Sequence, residues 1–575
     1  MNETKSLFII KKYHSILRAA IIVEAVNFIV SLTDGVVAGN AIGEEAFAAI
    51  GLLAPFLSVS TFISSIVNTG TVLNFSYQVG KIDKRRANEF FSQGLILSLL
   101  TGFIYALVLL LMGSVIISGI TNDIGIGQFL KDYYYIILIF FFLQPVSFLL
   151  DNLLVADGGE NLSIVANIAL IVSNIAGSVI FVRFWDIKGI AIASVLSKVL
   201  FILIVCFHFS SKKNTLRFVR HWKTSDLILI VKSGIVKAST YGLEAILTFS
   251  INLFAILFFD EETLVVLVVV ERFLGLMTLF IGLSMACQPI LGTLRGENNT
   301  KAQKQLIKTA LRDIVLVSLI LTLLMILLAP VITILFGIAE GNTGDMTILA
   351  LRIVRSTLIL QAVLVLFFIY YVAINKQRLA FVICLVKNFI SPVIIAVVLS
   401  VILGSEIGIW IGLAIAPVLA LFVSSLIVLL KYGQKSFPFL IPEDPEQKIF
   451  IYDFIVSSDN AVKMAECVET ILNQNSNPRN QCVIAGMITE ELIMLIMDKN
   501  KNSQKPVRAE CTLITLPDGV KLILRDSGVI FNLTDTDSSL GSFRQYIVSN
   551  LMLKQENKLY MTTTGYNRNE FYFSR

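Results

Sequence analysis

Apolar runs long enough to cross a bilayer recur along this chain from near residue 15 to near residue 431. About 20 residues suffice for one span, so recurrence on this scale describes an integral membrane protein and not an anchored one. Of 575 residues, 56% are hydrophobic and only 15% charged, against about 25% charged in a typical soluble domain. Breakers divide the runs into twelve spans with cores near 15–38, 48–72, 89–118, 133–155, 162–182, 189–209, 234–258, 263–286, 307–336, 348–373, 379–402 and 408–430. The N-terminus, MNETKSLFIIKKYH, has no cleavage-site pattern, so the first run is read as retained. From about residue 440 the composition becomes polar and mixed, and a soluble domain is expected there.

The loops fix a topology. One side collects Lys81, Lys84, Arg85 and Arg86, then Lys212, Lys213, Arg217, Arg220 and Lys223, then Arg295, Lys301, Lys304 and Lys308, then Lys376 and Arg378. The other side collects Glu44, Glu45, Asp123, Asp260, Glu261, Glu262, Glu340, Asp345 and Glu406. Basic loops stay in the cytoplasm, which puts both termini there and requires an even number of spans. The net charge of +5 is small and reads as topology, with no nucleic-acid partner. The six cysteines form no CxxC pair and there are three histidines, so neither a metal site nor a disulfide framework is expected.

The chain repeats itself. The loop after the second span reads YQVGKIDKRRANEF and that after the eighth reads GTLRGENNTKAQKQ. Each sets a glycine at the helix end (Gly80, Gly296), then polar turn residues, then a basic helix start reaching an alanine (Ala87, Ala302). The sixth and twelfth spans open alike, from Gly189 and Gly408. Parallel halves imply a pseudo-two-fold axis along the membrane normal, an arrangement that suits a transporter with its site at the midplane.

Ionisable residues inside the spans are the candidate machinery, because such groups face a bundle interior or a cavity. The first span carries Glu24, Asn27 and Asp34. Asn27 and Asp34 are one heptad apart, differ by roughly 20° around a helix, and share a face. Lys237 and Glu244 in the seventh span have the same spacing and read either as a static ion pair or as a working pair. Glu24 reads either as a structural partner for a basic residue or as part of a cation site. Glu271, Arg272 and Lys387 complete the set; Lys237, Arg272 and Lys387 are the chief midplane cations.

These features together resemble the multidrug and toxic compound extrusion (MATE) family over about residues 10–432. The resemblance is carried by TDGVVAGNAIGEEAFAAIGLLAP ending the first span, GKIDKRRA, the GENLSIVAN turn, QPILGTLRGENNTKA and GIWIGLAIA. It implies a secondary antiporter that expels organic cations against a sodium or proton gradient, with two six-helix bundles around a central cavity. It assigns Asp34 to the family's span-one aspartate, Asn27 to its polar partner and Glu244 to the span-seven glutamate of one branch. In the fifth span Asn174 is followed by Ser178 where the family often has an aspartate. Ion coupling is therefore expected from Asp34, Asn27, Glu24, Glu244, Asn174 and Ser178, with H+ or Na+ left open.

After a linker punctuated by Pro438, Pro442 and Pro445, residues 447–575 read as one strand, two helices over 459–475 and 479–499, a hairpin through Pro517-Asp518-Gly519, a helix near 541–553 and further strands. Helices on one face of an antiparallel sheet make an α/β sandwich. RDSGVIFN and the TEEL of Thr489–Leu492 resemble the GHKL ATPase fold of anti-sigma-factor-type kinases. The resemblance implies nucleotide contacts at Asp526 and Gly528 and a catalytic acid at Glu490 or Glu491. Where that family holds magnesium with an asparagine, this chain has Met494 or Leu495, neither an oxygen ligand. Kinase activity is not expected, ATP binding stays open, and an interaction module is the simpler reading.

The expected fold is thus an all-α polytopic membrane protein, twelve transmembrane helices in two six-helix bundles, plus a C-terminal α/β sandwich. The divisions are 1–225, 226–433, a linker 434–446, and 447–575. The expected role is export of small organic cations across the cell membrane, by a transporter and not an enzyme, needing no cofactor beyond its coupling ion. A cytoplasmic protein is a candidate partner of the tail. The alternative is a flippase for lipid or polysaccharide precursors, which would favour a strongly basic cavity.

Overall fold

The computed structural model describes residues 6–574 except 82, 121–123, 212–213, 221, 260–262, 264–265, 268, 271–279, 281, 285, 336–341, 435–436, 438–446, 476, 503–505 and 530–565. The expected span at 263–286, with Glu271 and Arg272, therefore falls largely outside the described residues, as does the expected helix at 541–553.

The first half contains α1 (Leu7–Ala41), the short α2 (Glu44–Gly51), α3 (Ala54–Gly80), α4 (Lys84–Ile120), α5 (Ile124–Ala156) and α6 (Glu160–Cys206). Helix α6 runs for 47 residues and breaks at Trp185 and Asp186, whose backbone is non-helical. The break falls where the sequence places the loop between two spans. The second half contains α7 (Thr224–Phe258), α8 (Cys287–Gly296), α9 (Thr300–Leu335), α10 (Asn342–Arg355), α11 (Leu358–Ala373), α12 (Gln377–Leu385), α13 (Ser391–Leu403) and α14 (Ile407–Tyr432). Among the described residues, eight helices are long and apolar enough to cross a membrane, or nine if the bent pair α10 and α11 is one span. One of the eight, Arg479–Lys499, belongs to the tail and buries its apolar side against a sheet.

The repeated loops are built alike. Asp83 and Asn299 each stand three residues after the repeat glycine. The Asp83 carboxylate accepts from the Arg86 backbone N–H at 2.9 Å, and the Asn299 side-chain oxygen from that of Ala302 at 3.0 Å. Both are N-caps that satisfy a donor the helix cannot, and they start α4 and α9.

The two halves meet at the end of the membrane part that carries these loops and the tail, here the tail side. A Cβ on Gly70 of α3 would lie 1.9 Å from the Ile230 carbonyl oxygen, and one on Gly234 of α7 would lie 1.8 Å from that of Ile66. Only glycine permits this backbone contact. One turn past Gly70, Asn74 donates to Ser233 at 3.4 Å, and nearly three turns past it, at the end of α3, Gly80 abuts Gly296 with no room for a Cβ on either. Arg86 closes the rim with a bidentate contact to Asp226 at 2.6 and 2.7 Å.

Among the described residues the tail is a four-stranded antiparallel sheet in the order β1 (Ile449–Ile455), β2 (Arg508–Leu516), β3 (Gly519–Asp526) and β4 (Asn567–Ser574), with α15 (Ser458–Gln474) and α16 (Arg479–Lys499) on one face. Cys511, Leu513, Leu522, Leu524, Phe571 and Phe573 face those helices. The opposite face is not left to solvent: Ile449, Ile451, Ile514 and Ile523 join the apolar cluster of the membrane part. An antiparallel sheet commonly keeps one wet face; here both are covered.

Candidate functional site

Between the halves lies a cavity of about 730 Å³, lined from both sides. Its residues on α7 run from Tyr241 to Ile251. Glu244 sits 14 residues past Ile230, or about 21 Å at 1.5 Å per residue. The cavity therefore lies beyond the closed tail-side contact.

Asp34 lies on the wall contributed by the first half. Its Oδ2 accepts from the Tyr133 hydroxyl at 2.7 Å and from the Ser194 hydroxyl at 2.7 Å. Ser194 in turn accepts from the Asn174 side-chain amide at 2.9 Å. Among the described residues, three buried oxygens around this chain have no hydrogen-bond partner: Asp34 Oδ1, Asn174 Oδ1 and Ser178 Oγ. Asp34 thus gathers residues from α1, α5 and both segments of α6. Asn27 lies on α1, but its side chain is outside the described ones.

Asp151 forms a second polar group on the same wall, accepting from Ser163 at 2.6 Å and from Asn167 at 3.3 Å. Lys198 faces it electrostatically and stacks over Phe140 at 4.9 Å, a cation–π contact. Lys198 is a midspan cation that the sequence reading omitted, although a lysine in the apolar run 189–209 is itself the signal. Tyr133 and Ser194 were also not singled out; neither carries a charge to flag it.

The second half supplies Glu244, Lys387 and Asn388. The helix widens into a π-turn over Val386–Ile390, which carries both Lys387 and Asn388 to the wall. Such turns recur at functional sites. Lys237 and Glu244 share a helix face but look to different partners. Among the described residues, the charge that acts on Glu244 is Lys387, whereas the one that acts on the buried Lys237 is Glu24 of the other half. Glu24 also borders the cavity and a smaller neighbouring one.

In the tail, Asp526 is fully buried at the end of β3. Its Oδ1 accepts from the Gly528 backbone N–H at 2.9 Å and from Asn567 at 2.8 Å, while Oδ2 has no partner among the described residues. Burial pushes this carboxyl up to about 6, against the two donors. Gly528 is pressed against Asn500, where a Cβ would meet the side chain at 2.5 Å. Glu490 and Glu491 sit half-buried on α16, roughly 15 Å back along the helix from Asn500. Leu495 is buried in the core and Met494 packs against it, so the position expected to hold magnesium is an apolar contact.

Comparison with known proteins places this geometry. Residues 19–180 match the MatE family model. No curated protein sequence matches the chain. Among solved structures, an outward-facing multidrug-resistance MATE transporter of the MOP superfamily is 20% identical with a TM-score of 0.68, over 75% of this chain and 98% of that one. A MATE protein in its straight conformation is 21% identical with a TM-score of 0.67, over 75% and 98%. A MOP-superfamily transporter from Pyrococcus furiosus, described as having a binding pocket of reversed polarity that suggests a different function, is 20% identical with a TM-score of 0.67, over 75% and 100%. Residues 19–180 thus resemble the MatE family, and the membrane part has the fold of the MATE transporters.

Proposed function

We propose that this protein is a secondary antiporter that exports small organic cations from the cytoplasm in exchange for H+ or Na+. The observation that carries the reading is the Asp34 cluster on the wall of a cavity lined by both halves. A coupling cation binding at the partnerless Oδ1 of Asp34 neutralises the carboxylate and frees the organic cation for release. The uncommitted oxygens of Asn174 and Ser178 suit a metal cation; a proton needs only the carboxylate. Ion and drug must favour different states of the pair of halves, or the gradient would dissipate without work.

The lining favours a cationic cargo. Among the described residues its carboxylates are Glu24, Asp34, Asp151 and Glu244, and its lysines are Lys198 and Lys387. Tyr133, Phe140, Phe141, Phe148, Phe201 and Tyr241 add aromatic faces, which attract organic cations. A flippase for anionic precursors would need the opposite balance. The basic loops favour cytoplasmic termini, and in this reading the tail is a regulatory domain on that side, open to a protein partner. The test is efflux from proteoliposomes under imposed proton and sodium gradients. A cation efflux driven by either gradient supports antiport; efflux indifferent to both contradicts it.

A further inference from the structure

The face that the tail's sheet turns toward the membrane part carries a row of charges, one per strand. The register aligns Asp453, Glu510, Arg525 and Arg568 directly across β1 to β4. In a free antiparallel sheet these would meet water; here Glu510 and Arg568 are fully buried and Arg525 is 7% exposed. Asp453 is bound by Arg508 of the neighbouring strand, and Arg525 holds Glu510 at 2.7 Å.

Both arginines reach out of the sheet to one carboxylate of the membrane part. Arg525 donates to Oε2 of Glu297, and Arg568 lies 3.4 Å from its Oε1. Arg568 also donates to the carbonyl oxygens of Val79 at 3.3 Å and Gly80 at 3.2 Å, the last turn of α3. Glu297 belongs to the second half, immediately after Gly296, and Val79 and Gly80 belong to the first. A single guanidinium therefore spans the seam where Gly80 and Gly296 abut. Burial pushes the Glu297 carboxyl up, but Arg525 and Arg568 outweigh it and hold the group below its ordinary value. The repeat sharpens the point: at the residue after the glycine the first half has an exposed Lys81, and the second has the buried Glu297. Ser6, at the start of α1, adds a further tie through its hydroxyl to Glu510 and its backbone N–H to Gln305 of the second half at 2.9 Å.

We propose that the tail is a latch on the cytoplasmic gate. Arg568 and Arg525 lock the two halves together at the Gly80–Gly296 seam, and the gate opens inward only when this bridge is released. The geometry demands it, because Arg568 cannot keep both the Gly80 carbonyl and Glu297 once the halves part. The consequence for transport rests on the transporter reading, whereas the latch itself is a statement about distance.

The test places spin labels at two exposed tail-side positions of opposite halves, Arg85→Cys on α4 and Lys308→Cys on α9, in the full chain with Cys206→Ser and Cys467→Ser. Double electron–electron resonance in nanodiscs then reads the separation. Arg568→Ala with Arg525→Ala should add a longer-distance population and raise the open-to-closed ratio roughly tenfold, within the usual range of intramolecular coupling. Glu297→Gln, which leaves every arginine in place, should act in the same direction and serves if the double variant does not fold. An unchanged distance distribution in folded Glu297→Gln protein overturns the latch, whatever the efflux assay gives.

Discussion

The Tyr133 hydroxyl donates to Oδ2 of Asp34 at 2.7 Å, the same oxygen that takes the Ser194 hydroxyl. Two donors on one oxygen leave the other bare, and that asymmetry gives the carboxylate a side on which to receive a cation. A hydrogen bond to a charged group is worth about 1.5–3 kcal/mol. Tyr133→Phe and Ser194→Ala should each slow gradient-driven efflux by roughly tenfold. In a double-mutant cycle their effects should not add, since both act through one atom. Initial efflux rates from proteoliposomes at matched expression check this; additive effects would place the two hydroxyls in separate roles.

The Lys237–Glu24 relationship crosses from one half to the other. Removing one member of a buried pair leaves an uncompensated charge, at a cost of about 3 kcal/mol. Lys237→Met should therefore lower thermal stability, and adding Glu24→Gln should restore most of it. A double variant no more stable than Lys237→Met would show that the two charges do not compensate each other.

The glycine contact between α3 and α7 makes closure on the tail side sterically exacting. A Cβ at Gly234 would sit 1.8 Å from the Ile66 oxygen, and overpacking of this kind costs about 1–3 kcal/mol. Gly234→Leu should shift the spin-label pair Arg85→Cys and Lys308→Cys to longer distance and reduce efflux at least tenfold. Gly242, whose Cβ would meet nothing within 4 Å, supplies the control: Gly242→Ala should leave the distance unchanged.

In the tail, Asp526 has a folded value of about 6 against an ordinary 3.8. A raised value means the neutral form is the stabilised one. Its contribution is complete below about 3.8 and disappears as pH rises through about 6, a change of up to about 2–3 kcal/mol. Asp526→Asn should remove that loss. Cys482 and Cys511 are buried in the same core, so their labelling by a maleimide, read by peptide mass spectrometry in the intact protein, reports its opening. The wild-type to variant rate ratio should climb between pH 5 and 7; a flat ratio would contradict the assignment.

Much of this was legible in the sequence, and the parts that were not have a common cause. Asp34 stood out because an ionisable residue in an apolar run is costly enough to need a reason, whereas Asn174 and Ser178 were singled out only by the family resemblance in the fifth span. The repeat loops were found because Gly80 and Gly296 sit at the same place in two similar strings, and the caps Asp83 and Asn299 turn out to share that spacing. The partner of Lys237 was not legible: heptad spacing offers Glu244 on the same helix, and only packing of the halves brings up Glu24. The docking face of the tail was not legible either. Alternation such as Glu510-Cys511-Thr512-Leu513 reads as one buried and one wet face, and nothing local says that a second body covers the wet one.

The central claim is that Asp34 couples a cation gradient to export. The most direct measurement is efflux of an organic cation from proteoliposomes containing Asp34→Asn, under imposed proton and sodium gradients, beside wild-type protein at equal reconstitution. The substitution keeps the acceptor oxygen for Tyr133 and Ser194 but removes the charge. The account predicts that gradient-driven efflux is abolished while folding and cation binding to the cavity persist. Full gradient-driven efflux by Asp34→Asn would contradict it.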